Sequence, residues 1–81
     1  MEKEPVLKRP SAARRAQIER DFTYHPPQGD QGSRYEQLRA AGKDLALRIV
    51  ALSPASPEQD QALMLLNLAI MSANAAIARH E

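Results

Sequence analysis

The side chains here with the means to hold a ligand are one aromatic ring and a handful of cations. Tyr24 offers a planar face for stacking and a hydroxyl for hydrogen bonding. His25 follows it in a loop of aromatic, imidazole and proline side chains, the kind of segment that presents a binding surface. Arg39 and Lys43 are four residues apart, so on a helix they share a face, while Arg34 is turned away from them. Arg79 stands near the end of the chain. An aromatic ring with a guanidinium grips a base and a phosphate. The same set also arises on helical hairpins as ordinary surface charge, and Tyr24 could equally pin its loop onto the helices.

Other chemistries find no support. The chain has no Cys, which excludes disulfides and thiolate metal sites. It has no His-x-x-Glu-His string, no carboxylate array and neither common glycine-rich phosphate loop. Nearly every Ser has a capping or turn role, so no Ser-His-Asp arrangement can be argued. The expectation is a binding protein with no catalytic residues, no metal and no cofactor. A net charge of +1 gives no strong field for DNA or RNA. The charges are uneven, with Lys3, Lys8, Arg9, Arg14, Arg15 and Arg20 in the first quarter. Arg14, Arg15 and Arg20 read either as a solvated face or as an anion-binding edge. A nucleic-acid binder would use this basic quarter.

The elements that must position these groups are helical. Residues 1–10 carry charges and two prolines and predict an extended arm, with Val6 and Leu7 able to dock on a neighbour. Ser11 caps a short helix from Ala12 to about Phe22. Prolines and glycines over residues 22–33 forbid its continuation, and Phe22 is expected to pin that loop onto the helices. Ser33 is placed to cap a second helix running to about Leu52, with a stripe of Tyr35, Leu38, Ala41 or Gly42, Leu45, Ile49 and Leu52. Gly42 costs about 1 kcal/mol against Ala in a helix, which points to close approach of a backbone or ligand there. The short connector Ser53–Pro57 folds helices two and three into an antiparallel hairpin.

The third helix is the strongest signal. Ser56 caps it, Pro57 suits its first position and Gln59 completes a capping box. Leu63, Leu66, Ile70, Ala73 and Ile77 form one stripe in steps of three and four. Met64, Leu65, Leu68, Ala69, Met71, Ala75 and Ala76 fall outside it, so this helix is apolar most of the way round. So small a chain cannot bury such a helix alone, and self-association follows. Gln61, Asn67, Ser72 and Asn74 interrupt the run, which argues against a membrane span. The N-terminus has no apolar leader, and a soluble intracellular protein is expected. The architecture is therefore all-α, a short N-terminal helix plus an antiparallel hairpin in an oligomeric bundle. Its domains are a basic arm with a short helix over 1–21 and a hairpin over 22–81.

Particular strings carry a resemblance. Phe22-Thr-Tyr-His-Pro-Pro27, Arg34-Tyr35, Leu38-Arg39, Lys43-Asp-Leu-Ala46, Pro54-Ala-Ser-Pro-Glu58 and Met71-Ser-Ala-Asn-Ala-Ala-Ile-Ala-Arg79 resemble the phage anti-CBASS cyclic-nucleotide sponges and the hairpin part of a related anti-Thoeris sponge. The resemblance covers residues 22–81. It implies a hexamer of interlocked dimers in the cytoplasm of an infected bacterial host. Such a protein sequesters cyclic oligonucleotide signals without cleaving them, so CBASS- or Thoeris-type effectors stay silent. It also implies that an aromatic and a cationic side chain sandwich the bases of a cyclic dinucleotide such as cGAMP. Those roles fall on Tyr24, with His25 beside it, and on Arg39 or Lys43. A second site for cyclic trinucleotides, where three subunits meet, falls on Arg79. Two departures stand out: the basic segment before Phe22, and Ser72 where the family has Trp. The competing expectation is a small helical adaptor whose apolar third helix docks a host protein.

Overall fold

The computed structural model describes residues 7–81. The expected arm over residues 1–10, and the docking of Val6 with it, lies outside the described residues up to position 6; Leu7 to Pro10 are exposed and without regular structure. Three helices follow, α1 Ala12–Asp21, α2 Gln31–Leu52 and α3 Pro57–His80, and the described residues contain no strand.

α1 begins where its cap demands. The Ser11 hydroxyl accepts a hydrogen bond from the Arg14 amide at 3.1 Å, satisfying one of the amides the first turn leaves unpaired. α1 buries no side chain, and Ile18 and Phe22, four residues apart, both face outward. Phe22 is 87% exposed. It does not pin the loop, because the chain turns away after α1 through the His25 ring instead. His25 Nε2 lies 2.8 Å from the Arg20 carbonyl, to which it donates, tying the loop back to the last turn of the helix.

α2 starts two residues before the expected Ser33 cap. Gly29 takes a left-handed φ of 55°, which folds the chain so that the Gln31 amide donates to the Gln28 carbonyl at 3.0 Å. The Gln31 side chain turns back to accept from the Gln28 amide, also at 3.0 Å. Asp30 holds the N-cap position, but its carboxylate pairs with Arg34 at 3.1 Å rather than capping. Ser33 sits inside the helix and accepts from Gln37.

α2 and α3 pack antiparallel. The Gly42 site defines their seam: a Cβ built there would lie 2.7 Å from Ile70 Cγ1. Gly42 is buried and Ala41 exposed, which resolves that pair in favour of the glycine. The α2 stripe continues through the half-buried Ala46 to Ile49. Leu45, expected in that stripe, is 47% exposed, because a four-residue step after Gly42 carries the seam to the next position. On α3 the stripe is as expected: Leu63, Leu66, Ile70, Ala73 and Ile77 are all partly covered.

Each end of the hairpin is fastened by polar groups. At the connector the Ser56 hydroxyl accepts from the Gln59 amide at 3.1 Å. The reciprocal half of a capping box is missing, since Gln59 Nε2 donates across the turn to the Ser53 carbonyl at 2.9 Å and hydroxyl at 3.1 Å. At the open end Arg34 grips Glu81 with both arms of its guanidinium, Nη1–H reaching Oε2 at 2.7 Å and Nη2–H bonding Oε1. These hydrogen bonds raise the Arg34 pKa and, acting on the partner, hold the Glu81 carboxyl below the usual carboxylate range.

No hydrophobic side chain among the described residues is buried. The molecule measures 57 × 43 × 15 Å with a radius of gyration of 18.8 Å, against about 12 Å for a compact domain of this length. Leu47, Val50, Met64, Leu65, Leu68 and Met71 are all roughly half exposed or more. α3 is long and apolar enough to cross a membrane by length and composition.

Two outcomes follow. Gly42→Ala gains helix propensity but meets the first branch of a stiff β-branched side chain, so it lowers Tm by about 4 °C or more. In an Ile70→Ala background the same change becomes neutral or stabilising, and thermal denaturation of the four proteins reads this coupling. The Glu81 clasp is fully present above the ordinary carboxylate pKa of about 4.3 and is lost as pH falls through its lowered folded value. Glu81→Gln therefore gives a flatter loss of stability in acid than the unaltered chain, measured by denaturation below about pH 4.

Candidate functional site

Four elements converge at the open end of the hairpin: the last turn of α1, the loop after it, and the facing ends of α2 and α3. Between them lies a cavity of about 410 Å³, within the size range of small-molecule sites. Tyr24 and His25 from the loop, Arg39 from α2 and Arg79 from α3 all line it. Four of the five candidate site residues, spread over more than fifty positions, thus share one cavity.

Each is positioned differently. The Tyr24 ring is 81% exposed and free to take a stacking partner. His25 is half-buried, its Nε2–H committed to the Arg20 carbonyl, so it acts first as a strut that holds Tyr24 in place. Arg39 is exposed along the α2 face that looks onto the cavity, and among the described residues no ion pair or hydrogen bond engages its guanidinium. Arg79 is steadied by α1: its Nη2–H donates to the Asp21 carbonyl at 3.3 Å, and its Nε lies 3.7 Å from Asp21 Oδ1.

Lys43 is the exception. One turn further along α2, it lines a separate hollow of about 280 Å³ over the seam with Gly42, Leu63, Asn67 and Ile70. Arg39 borders both spaces, so the helical rise that puts Arg39 beside Tyr24 carries Lys43 past it. Arg34 also has an explanation: both its terminal nitrogens are engaged by Glu81 and Asp30, and it serves the fold.

The cavity has walls that residue-type reasoning did not single out. Tyr35, read as a stripe residue, contributes a second aromatic ring, and Asp21 a carboxylate. Asn74, read as an interruption of the apolar run, contributes a side-chain oxygen that is buried with no hydrogen-bond partner. A polar residue on the half-buried side of an apolar helix was the available signal. The site can therefore stack a flat ring on Tyr24, pair an anion with Arg39 or Arg79, and accept a hydrogen bond at Asn74.

Comparison with protein-family models matches residues 14–78 to the Acb2/Tad1 hairpin domain. No curated protein and no solved structure gives a significant match. The matched span takes in most of α1, the Tyr24 loop, all of α2 and α3 as far as Ala78, so Arg79 lies just beyond it. A match over most of its length makes this chain a member of the Acb2/Tad1 hairpin family, the family of the anti-CBASS and anti-Thoeris sponges.

Proposed function

We propose that this protein sequesters cyclic oligonucleotide signals intact, in the cytoplasm of an infected bacterial host, and so keeps CBASS- or Thoeris-type effectors from being triggered. Membership of the sponge family supports cyclic-nucleotide binding in general. The observation that carries the finer reading is the cavity where Tyr24 meets Arg39 and Arg79. In this reading a purine of a cyclic dinucleotide stacks on Tyr24, with Arg39 rather than Lys43 as the cation over its other face. His25 braces the loop. Arg79 takes the phosphates of a larger, trinucleotide ring.

The ligand is held and not cut. Tyr24, Arg39 and Arg79 bind and neutralise, while His25 and Asp21 are engaged in holding the loop and Arg79 in place. One copy supplies an open half-site, since Tyr24 is left mostly exposed. A second copy would supply the opposite wall, and several copies would lend one cation each to a shared ring of phosphates. Self-association, in the hexamer that the resemblance implies, is supported by the absence of buried apolar side chains and by the outward face of Met64, Leu65, Leu68 and Met71. That same face would suit a helical adaptor docking a host protein, which is the competing reading.

Purified protein is expected to gain thermal stability with at least one member of a panel of cyclic dinucleotides, cyclic trinucleotides and cyclic ADP-ribose isomers. The nucleotide should be recovered intact after the protein is denatured. No shift across the panel, or a hydrolysed product, would contradict the proposal. Tyr24→Ala should weaken cyclic-dinucleotide binding by about 1–3 kcal/mol in calorimetric titration while leaving the fold unchanged. Unchanged affinity would move the site elsewhere.

A further inference from the structure

α1 and α3 end side by side, and their charges meet there. Arg20 Nε and Arg79 Nε each lie 3.7 Å from the same carboxylate oxygen, Asp21 Oδ1. Neither distance is a hydrogen bond. Among the described residues Arg20 Nε is buried with no hydrogen-bond partner, and Arg79 donates only to the Asp21 backbone carbonyl. Two guanidiniums thus share one carboxylate, which leaves a local excess of one positive charge and a set of unused donors. Both arginines line a second cavity of about 330 Å³ together with Gln17, Ser72 and His80; it adjoins the Tyr24 cavity, with which it shares Asp21, Ala75 and Arg79. Its floor is Ala75 and Ala76, whose short side chains let a tetrahedral group come close to the helix.

Guanidiniums are forked donors matched to phosphate oxygens, and a pair with a single, poorly bonded counter-ion is a cradle for another anion. We propose that Arg20 and Arg79 form a two-arginine phosphate cradle, that Arg20 on the N-terminal helix is a ligand-binding residue, and that Asp21 is a built-in competitor that keeps binding there reversible. The anion class is a phosphodiester or pyrophosphate. That it belongs to a cyclic nucleotide rests on the sponge reading; the cradle itself does not.

Calorimetric titration of the full chain with inorganic pyrophosphate, cyclic tri-AMP and cyclic di-GMP, at one fixed ionic strength, tests this. Arg20→Gln should weaken pyrophosphate and cyclic tri-AMP about tenfold, the worth of a lost charge-assisted hydrogen bond. Asp21→Asn, which keeps the backbone carbonyl that Arg79 uses, should strengthen both severalfold. Arg20→Lys, which keeps the charge and loses the fork, should fall between Arg20→Gln and the unaltered chain, and matching circular dichroism shows that each variant is folded. Cyclic di-GMP, placed on Tyr24 and Arg39, should be unchanged by Arg20→Gln. The cradle is overturned if Arg20→Gln leaves pyrophosphate and cyclic tri-AMP unaffected, or if Asp21→Asn weakens them. Cyclic-nucleotide binding that ignores Arg20 would spare the sponge reading and remove the cradle. Arg20-dependent pyrophosphate binding with no cyclic-nucleotide binding would do the reverse.

Discussion

A seam between two helices has no inside. α2 and α3 meet along Gly42 and Ile70 so closely that a single Cβ would collide, yet this contact covers only one stripe of each helix. A slab 15 Å thick is scarcely deeper than one helix with its side chains, about 10–12 Å. Every apolar residue on the far faces is left in water, and the described residues enclose no hydrophobic core at all. What the chain does with those faces decides whether it is stable and what it can bind. The proposed self-association answers both needs at once, by covering the α3 face and by closing the half-sites.

The Tyr24 cavity sits where the chain is most firmly fastened by polar contacts. Gln31 and the Gly29 turn set the start of α2, Arg34 and Glu81 clamp it to the end of α3, and His25 returns the loop to α1. None of these groups needs a buried core, so the end of the hairpin can be ordered even where the rest of the surface awaits a partner. Tyr24 and Arg39 are therefore displayed on a supported frame. The same logic explains the spread of cations along the chain: Arg34 is consumed by the frame, while Arg39 and Arg79 remain at the cavity.

Much of this was legible in residue types and spacing. The α3 start at Ser56-Pro57, its stripe from Leu63 to Ile77 and the meaning of Gly42 all follow from local rules, and the chain obeys them. The misreadings have local causes too. Ser33 had the right residue type for a cap, but the positive φ of Gly29 let the helix begin earlier. Gln59 had the right position for a capping box, but Ser53 across the turn offered it two acceptors. Phe22 looked like a pin because it is large and apolar, and only the three-dimensional course of the loop leaves it in solvent. Arg39 and Lys43 share a helix face and were inseparable by spacing. One helical turn, set against the position of the Tyr24 loop, separates them. Asp21 and Asn74 could not be chosen in advance, because their place in the cavity depends on how α1 docks beside α3.

Sedimentation equilibrium of the full chain, without added ligand or partner, tests the central claim most directly. The account predicts a folded, helical particle whose mass is a multiple of 9.0 kDa and which holds together on dilution. A folded, concentration-independent particle of 9.0 kDa would contradict it, since that monomer would be stable with its apolar faces bare.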